Sequence, residues 1–509
     1  MSPKVQIKQL QSMCVKNFSY YLTYVLSDEK CKHRKAVDEY LTNVSFPVRQ
    51  SLLEHILNSE NLDAATRFNC LNVLLKNNVK LLETGIFPYT YYVKILEVII
   101  RRGKNLQQLN LRGLWVHDEP ELVQELLCKL NNLRILIIPH IGADFILKPI
   151  GCCSQLSVLD ISGECPFSSE ELCEFGSLSI KVLYIGSYGK KKLCEPEEDS
   201  IKALSSIIKN LPNLTSIKTY SFTGSALFNL FYDDHSSSKT NLLHICDTQT
   251  TVANSEAIVK LCPKLQSIYL DAPEENVLLL IKQLEHLTNL RLARFDYVEL
   301  VSYLQHSGAQ ICSLQLYSSK DIPIDVSYLS TVCPNLNYLD CYRVNLTVTQ
   351  LDSYFMCLEC IDILYCNVDE ITLKYLFTNC PVLKKAVIGD ILKITDGDIF
   401  RLCAECEFLY LEELWLSCAK YLTTTSVQLL MSHCPNLKSL GQLSGWNFYN
   451  MEGESLNNAE PKNLTPTESS VADSSAKATT AHSTFYAKSN SRIKILLFNS
   501  LLLFKLLRI

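Results

Sequence analysis

An aliphatic pattern that recurs along most of the chain constrains its fold more than any other feature of the sequence. A Leu or Ile stands at spacing one, four and six, as in Leu265-Ile268-Leu270. This spacing is typical of a short strand whose alternate side chains enter a core. The pattern occurs fourteen times, with first positions at 106, 133, 156, 180, 214, 242, 265, 290, 311, 336, 358, 383, 411 and 437. The mean interval is about 25 residues, which leaves room for one strand and one helix in each unit.

The residues between the strands have helical spacing and helix-start signals. Ahead of the strand that begins at Leu133, the segment Asp118-Glu119-Pro120 opens a helix that runs to Leu130. No single strand–helix unit can bury its apolar edge alone, so neighbouring units must stack. The alternation therefore predicts an α/β horseshoe with parallel strands on the concave side and helices on the convex side.

A Cys-Pro step precedes several of the strands. It occurs at Cys262-Pro263, Cys333-Pro334, Cys380-Pro381 and Cys434-Pro435. Pro ends the convex helix because it cannot continue it, and Cys packs as a small apolar residue. With these steps the array resembles the cysteine-containing leucine-rich repeats of F-box and related ubiquitin-ligase subunits. The resemblance implies a leucine-rich-repeat solenoid of about 14 repeats.

Composition divides the chain into four parts. Residues 1–100 have helical spacing, and residues 101–445 carry the repeats. Residues 446–492 are rich in Ser, Thr, Asn and Ala and are expected to be a disordered linker. The short apolar segment 493–509 contains three basic residues and is too short for a membrane span, which needs about 20 apolar residues. This segment has two interpretations: a weak tail anchor or interfacial helix, and an unselected tail, which is preferred. Irregular repeat intervals also predict inserted loops around 186–198 and 233–239.

Two segments of the N-terminal part resemble adaptor-binding motifs. Leu10, Cys14 and Phe18 match the core of an elongin BC box, and their spacing by four places them on one side of a helix. A second set resembles the apolar-Pro segment that follows a BC box in ZYG-type cullin-binding receptors: Phe46, Pro47, Leu52 and Leu53. The resemblance implies that these residues bind elongin C or a Skp-type adaptor, with elongin C favoured. A plain helical cap over the first repeat is the alternative.

The outward residues of the predicted strands are the candidates for binding a target protein. Alternation places side chains two, four and six positions after each first Leu on the concave face. The large aromatic residues among them are Tyr184, Tyr220, Tyr269, Tyr317, Tyr338, Tyr342 and Trp415. Tyr and Trp are common anchors of protein interfaces. Ordinary surface tyrosine, in a chain with 25 Tyr, is the alternative for each position.

Other features argue against several function classes. The net charge of −5 and the pI of about 6.1 offer no basic surface for nucleic acid. The 22 Cys are scattered and no signal peptide begins the sequence, which favours reduced thiols in the cytoplasm or nucleus. The CxxC pairs Cys357/Cys360 and Cys403/Cys406 are interpreted as core residues, so no metal is expected. No phosphate-binding loop or nucleophile motif occurs, so neither a cofactor nor an enzyme activity is predicted.

These observations predict a non-catalytic substrate-recognition subunit of a cullin-RING ubiquitin ligase. Its N-terminal helices would bind the adaptor, its concave face would bind an unidentified target protein, and a cullin would join through the adaptor. Neither nucleic acid nor a membrane is an expected partner. The alternative is a leucine-rich-repeat scaffold unconnected to ubiquitin, in which the N-terminal helices only cap the array.

Overall fold

A computed structural model describes the fold over residues 3–28, 31–59, 61–76, 78–116, 118–163, 167–186, 198–218, 222–232, 239–318, 323–389, 394–441, 446–447 and 494–496. Most of the predicted loops around 186–198 and 233–239, and nearly all of the predicted linker 446–492, lie outside the described residues. The chain divides into two compact units, Met1–Leu265 and Gln266–Ile509.

The first unit begins with helices α1 Pro3–Ser27, α2 Arg34–Asn43, α3 Phe46–Leu57 and α4 Ala64–Leu74. Asp63 caps α4 as the sequence predicts, since its carboxylate accepts a hydrogen bond from the Thr66 N–H at 2.8 Å. The C-terminal half of α1 is anchored by Leu22 and Leu26, which are fully buried, and α1 packs against α3 and α4. The helices therefore share a small core of their own.

Parallel strands follow in the first unit and pair in chain order. They are β1 Leu81–Glu83, β2 Gln108–Asn110, β3 Ile135–Ile137, β4 Val158–Ser162, β5 Val182–Gly186, β6 Ser216–Lys218 and β7 His244–Thr248. The helices between and after them are α5 Tyr92–Arg102, α6 Pro120–Lys129, α7 Asp144–Gly151, α8 Ser169–Glu174, α9 Glu198–Asn210, α10 Thr223–Tyr232 and α11 Val252–Leu261. A short 3-10 turn, Tyr89–Tyr91, precedes α5.

The second unit repeats this alternation. Its strands are β8 Ser267–Asp271, β9 Asn289–Ala293, β10 Ser313–Tyr317, β11 Ile324–Asp325, β12 Tyr338–Tyr342, β13 Leu346–Thr347, β14 Cys360–Leu364, β15 Lys385–Ile388, β16 Glu413–Leu416, β17 Ser439–Gly441 and β18 Lys494–Leu496. Its helices are α12 Val277–Ile281, α13 Tyr297–Ser307, α14 Val326–Val332, α15 Glu370–Thr378, α16 Asp396–Glu405 and α17 Thr424–His433. β11 pairs with β13 apart from the main sheet.

The one-four-six residues form the core between strands and helices. Leu265, Ile268 and Leu270 are all 0% exposed, and the residues between them in β8 are half-buried. Each such side chain contributes about 1.5 to 3 kcal/mol when it leaves water. The α/β leucine-rich-repeat solenoid predicted from the spacing is the fold of the protein.

Two details of the repeat register differ from the prediction. Leu290 pairs with Ile268 and Leu314, so it holds the fourth position of its repeat and Leu287 holds the first. The predicted start at Leu290 was wrong because Ala293 and Phe295 fit the same spacing. The structure also adds β1 ahead of the first predicted strand. Its sixth position is the buried Thr84, a polar residue that hid the pattern.

The Cys-Pro steps end the convex helices as predicted. Cys333 is the C-cap of α14, and its backbone C=O accepts a hydrogen bond from the Leu336 N–H at 3.1 Å, which turns the chain into β12. The thiol lies in the core, where burial raises the pKa of Cys333 to about 12. These cysteines therefore act as small apolar residues.

The C-terminal segment contributes a strand that the sequence did not predict. β18 pairs in parallel with β17, with Ser439 opposite Lys494 and Gly441 opposite Leu496. An open strand edge exposes unpaired backbone groups, and repeat arrays need a cap at their ends. Residues 494–496 form a strand in the structure, and the rest of the segment 493–509 lies outside the described residues.

Removing this strand is expected to deprotect one backbone amide in particular. The Ser439 N–H donates to the Glu412 C=O at 3.1 Å, so by alternation the backbone groups of Leu440 face β18. Deleting residues 492–509 should speed hydrogen exchange at the Leu440 amide by about tenfold or more. A chain truncated after residue 498 retains β18 and is the control. Equal exchange in the two chains would mean that β18 does not cover β17.

Candidate functional site

The outward side of α1 carries the first set of predicted adaptor residues. Leu10 is 63% exposed, Cys14 is exposed, and Phe18 is half-buried with its ring 5.7 Å from that of Tyr40 on α2. Their outward side continues along the helix. The exposed apolar and aromatic residues there form what we call the α1 stripe: Leu10, Met13, Cys14, Tyr20, Tyr21 and Tyr24. Apart from Phe18, the predicted residues of α1 face solvent.

The second set of predicted adaptor residues is divided between surface and core. Pro47 is exposed at the start of α3, and the Lys80 ammonium lies 5.7 Å from the centre of the half-buried Phe46 ring. Leu52 and Leu53 are 0% and 1% exposed on the same helix. They hold α3 in the helical core and are not part of any surface in this arrangement.

α3 also joins the helices to the first strand. The Gln50 side chain donates to the Leu81 C=O at 2.8 Å and accepts from the Leu81 N–H at 3.3 Å. A shallow cleft of about 560 Å³ opens between α1 and α3, and Val15, Ser51 and His55 are among the residues that line it. The helices thus cover the edge of β1, as a cap would.

In the second unit the outward strand residues form an aromatic surface. The predicted residues there are half-buried side chains on the outer side of the sheet: Tyr269, Tyr317, Tyr338, Tyr342 and Trp415. Tyr317 and Tyr342 stand opposite each other on β10 and β12, and their ring centres are 6.3 Å apart. The structure therefore brings several of the predicted residues together.

An arginine that the sequence analysis did not select lies at the centre of this surface. The Arg291 guanidinium is 4.5 Å from the centre of the Tyr269 ring and 4.8 Å from that of Tyr317. Arginine held between two aromatic faces is attracted by their negative π-systems and loses side-chain freedom. Its position four residues after Leu287 would have identified it had the register of that repeat been read correctly.

A buried carboxylate anchors the neighbouring tyrosines. Asp340 is 3% exposed and accepts hydrogen bonds from the Tyr317 hydroxyl at 2.8 Å and the Tyr338 hydroxyl at 3.4 Å. Burial, followed by the charge of Asp340, raises the pKa of Tyr317 above its ordinary range. Tyr317 therefore stays protonated and acts as a fixed hydrogen-bond donor.

Residues directly after the strands border the aromatic surface. Arg294, Arg343 and Tyr365 have φ angles of 50°, 53° and 54°, in the left-handed region. This conformation turns the chain out of each strand. The Arg343 guanidinium then lies 5.4 Å from the centre of the Tyr342 ring. The rings of Tyr342 and Tyr365 pack edge to face, with their centres 5.4 Å apart. The Arg294 side chain pairs with Asp271 at 2.7 Å.

Trp415 lies further along the same face, over the backbone of the next strand. A Cβ on Gly441 would come within 2.6 Å of the Trp415 ring, so only glycine admits the indole there. The Trp415 indole N–H is buried and has no hydrogen-bond partner among the described residues. Burial of such a donor without an acceptor is unfavourable.

Two of the predicted aromatic residues belong to the first unit, and the structure describes one of them. Tyr184 is half-buried on β5, between Asp160 of β4 and Lys218 of β6. Tyr220 lies outside the described residues.

The first unit also has outward features that the sequence analysis missed. Aliphatic side chains occupy the outward positions of β3 to β5: Ile135, Ile137, Val158 and Val182. Trp115 is 51% exposed and stacks on His140, with ring centres 5.3 Å apart. The rule of alternate positions would have found the aliphatic residues, but only large aromatic ones were selected.

The CxxC pairs do not bring metal ligands together. Burial raises the pKa of Cys403 to about 11, and burial also raises the pKa of Cys406 to about 11. In the described part of the chain, no group of three or more His, Cys, Asp and Glu side chains could hold a metal ion. No described helix is both long enough and apolar enough to cross a bilayer.

No protein-family model matches the chain, and no curated protein matches it. Solved structures of repeat proteins match the chain at low identity. A chain in the yeast Rad7–Elc1 complex matches with a TM-score of 0.40 at 13% identity, over 89% of this chain and 98% of that chain. A leucine-rich-repeat protein of Leptospira interrogans matches with a TM-score of 0.36 at 15% identity, over 79% and 94%. An internalin of Listeria monocytogenes matches at 0.33 and 14%, over 75% and 97%. All three TM-scores lie below 0.5.

Proposed function

We propose that this protein is a non-catalytic substrate-recognition subunit of a cullin-RING ubiquitin ligase. In this proposal the N-terminal helices bind elongin C or a Skp-type adaptor, and the outward face of the repeats binds a target protein. The protein acts by positioning, because its partners carry out ubiquitin transfer.

The α1 stripe is the observation that carries the proposal. A helical cap needs an apolar side toward the array and a polar side toward water. α1 instead exposes Leu10, Tyr20 and Tyr24 at 63%, 78% and 69%. Leaving such side chains in water forgoes about 1.5 to 3 kcal/mol each, and contiguous exposed apolar surface marks interaction sites. A helix that presents apolar residues at this spacing fits a hydrophobic groove on a partner.

The aromatic surface of the second unit supports the other half of the proposal. Arg291 between Tyr269 and Tyr317 is held in place before any partner arrives, which lowers the entropy lost on binding. Tyr, Trp and Arg are the residues most enriched among the energetic centres of protein interfaces.

The second candidate is a scaffold in which the N-terminal helices serve only as a cap. The hydrogen bonds between the Gln50 side chain and the Leu81 backbone favour the cap function, because they satisfy backbone groups at the edge of β1 without a partner protein. Capping and adaptor binding use different surfaces of the helices, so the two functions are compatible. The α1 stripe distinguishes them.

Co-purification tests the proposal directly. The full chain is co-expressed with elongin B and C, and separately with a Skp-type adaptor. We expect one adaptor to co-purify, and we expect the double variant Leu10→Ser, Cys14→Ser to retain less than about a tenth of it, a loss of about 1.4 kcal/mol or more. Both side chains are exposed, so the variant should keep the wild-type melting temperature.

The matched control is Ile86→Ser, which removes an apolar side chain that is 77% exposed in the same unit but outside α1. This variant should capture the adaptor as the wild type does. If neither adaptor co-purifies with the wild type, the ligase proposal is wrong. If capture is equal in the wild type and the α1 variant, α1 is not the docking helix.

A further inference from the structure

The outward face of the first unit differs in chemistry from that of the second. Its strands present what we call the aliphatic row, one residue from each of four strands: Leu81, Ile135, Val158 and Val182. Ile135 stands opposite Val158, and Val158 stands opposite Val182, so the side chains of neighbouring strands are adjacent. Leu81 is 38% exposed and the other three are half-buried. Gln108 of β2 holds the corresponding place between Leu81 and Ile135.

A row of cations borders the aliphatic row. Lys80, Arg134 and Lys181 directly precede Leu81, Ile135 and Val182, and all three are exposed. We call them the basic row. Their backbone C=O groups each accept hydrogen bonds from the next strand, so they hold equivalent positions of three repeats. Among the described residues no carboxylate forms an ion pair with Arg134, Lys181 or Lys80. The Lys80 ammonium lies over the ring of Phe46.

The same position in the second unit is neutralised internally. There Lys384 pairs with Glu359 at 2.7 Å, and Lys438 pairs with Glu412 at 2.5 Å. The backbone C=O groups of Glu359, Lys384 and Glu412 accept hydrogen bonds from the next strand as those of the basic row do, and the Lys438 N–H donates to the Glu412 C=O at 2.7 Å. Cations that form no ion pair with a described carboxylate leave a local positive potential beside apolar surface. A partner that supplies carboxylates and aliphatic side chains together would satisfy both features.

The spacing of the rows sets the shape of that partner. Strands of a sheet lie about 4.8 Å apart, and the basic row uses every second strand, so its members are about 10 Å apart. A chain in the extended polyproline II conformation rises about 3.1 Å per residue with three residues per turn, so every third side chain points the same way at about this spacing. We propose that the outward face of the first unit binds an extended peptide segment that crosses the strands, with a carboxylate at every third residue and aliphatic residues between. The inference deepens the proposed function, because it names the chemistry of a target that the repeats would hold.

A labelled synthetic peptide in which Glu alternates with Ile-Val pairs is the probe. Fluorescence anisotropy with the full-length chain should give saturable binding that weakens as salt rises. The variant with Arg134→Glu and Lys181→Glu should bind at least about tenfold more weakly. The matched control Lys148→Glu, Lys202→Glu makes the same charge change at exposed positions of α7 and α9 and should change binding less than about twofold. A peptide with Lys in place of Glu should prefer the charge-reversed variant.

Several outcomes would overturn the inference. They are the absence of saturable binding to the wild type, equal binding by the charge-reversed variant, and equal binding of a peptide whose Glu residues are adjacent. Displacement of the peptide by a short single-stranded RNA at equal concentration would point to phosphate binding instead. Adaptor capture should be unchanged in the charge-reversed variant. Failure of the peptide to bind is therefore distinguishable from failure of the ligase proposal.

Discussion

Replacing Asp247 with Asn is expected to stabilise the first unit at about pH 8 and to leave its stability almost unchanged at about pH 4. Asp247 holds the sixth, core-facing position of the repeat that begins at Leu242, where most other repeats have Leu or Ile. It is 1% exposed. Its carboxylate accepts hydrogen bonds from the Gly224 N–H at 2.6 Å and the Thr250 hydroxyl at 2.7 Å.

Burial raises the pKa of Asp247 to about 7, although both hydrogen bonds act to lower it. In the unfolded chain the same carboxyl titrates near pH 3.9. The folded state therefore binds the extra proton between these values, and the free energy of unfolding falls as pH rises through this window. The contribution of Asp247 to the free energy of unfolding is therefore most favourable below about pH 4 and least favourable above about pH 7. A shift of this size corresponds to on the order of 4 kcal/mol.

Urea unfolding of the wild type and of Asp247→Asn, between about pH 4 and pH 8, measures this effect. The Asn side chain retains an acceptor for the Gly224 N–H and carries no charge, so its curve should be flatter. Asp199→Asn removes an exposed carboxyl of the same unit and is the control. Parallel curves for the wild type and Asp247→Asn would show that the buried carboxylate does not govern this pH dependence.

Strand positions were predictable because the core accepts little besides aliphatic side chains. The same reasoning failed where the pattern was ambiguous or broken. Leu287 and Leu290 can each begin a motif, and only pairing with β8 and β10 decides between them. Thr84 disguised the repeat of β1 because its hydroxyl can bond a buried C=O, here that of Asn110 at 3.3 Å.

Surface chemistry was harder to predict than the fold. Alternation gave the outward direction of Tyr269 and Tyr317, but not that Arg291 would lie between them. Helical spacing predicted the helices of the N-terminal part without indicating which side each would bury. Leu10 and Leu52 both occupy apolar helix positions, yet one is 63% exposed and the other 0%. Burial depends on which helices pack together, and local periodicity does not contain that information.

Replacing Arg49 with Met is expected to loosen the N-terminal helices more than any change at their surface. Arg49 of α3 is 2% exposed, and its guanidinium donates to the Asn78 side chain at 2.5 Å, to the Leu41 C=O, and to the Val44 C=O at 3.4 Å. The Leu41 C=O also accepts a hydrogen bond from the Val44 N–H at 3.4 Å at the end of α2, and Val44 is the C-cap of that helix. Burial lowers the pKa of Arg49.

Met matches much of the volume of Arg but removes all three of these donated hydrogen bonds at a buried position, so we expect a loss of about 3 to 5 kcal/mol in local stability. Hydrogen exchange over residues 31–59 measures it, and Arg101→Met, at an exposed ion pair, should cost less than about 1 kcal/mol. Because α1 packs against α3, Arg49→Met should also reduce adaptor capture. This loss of capture should be accompanied by a lower melting temperature. The α1 variant Leu10→Ser, Cys14→Ser should reduce capture alone. If both variants lose capture only in proportion to stability, the N-terminal helices act as a cap and not as a docking surface.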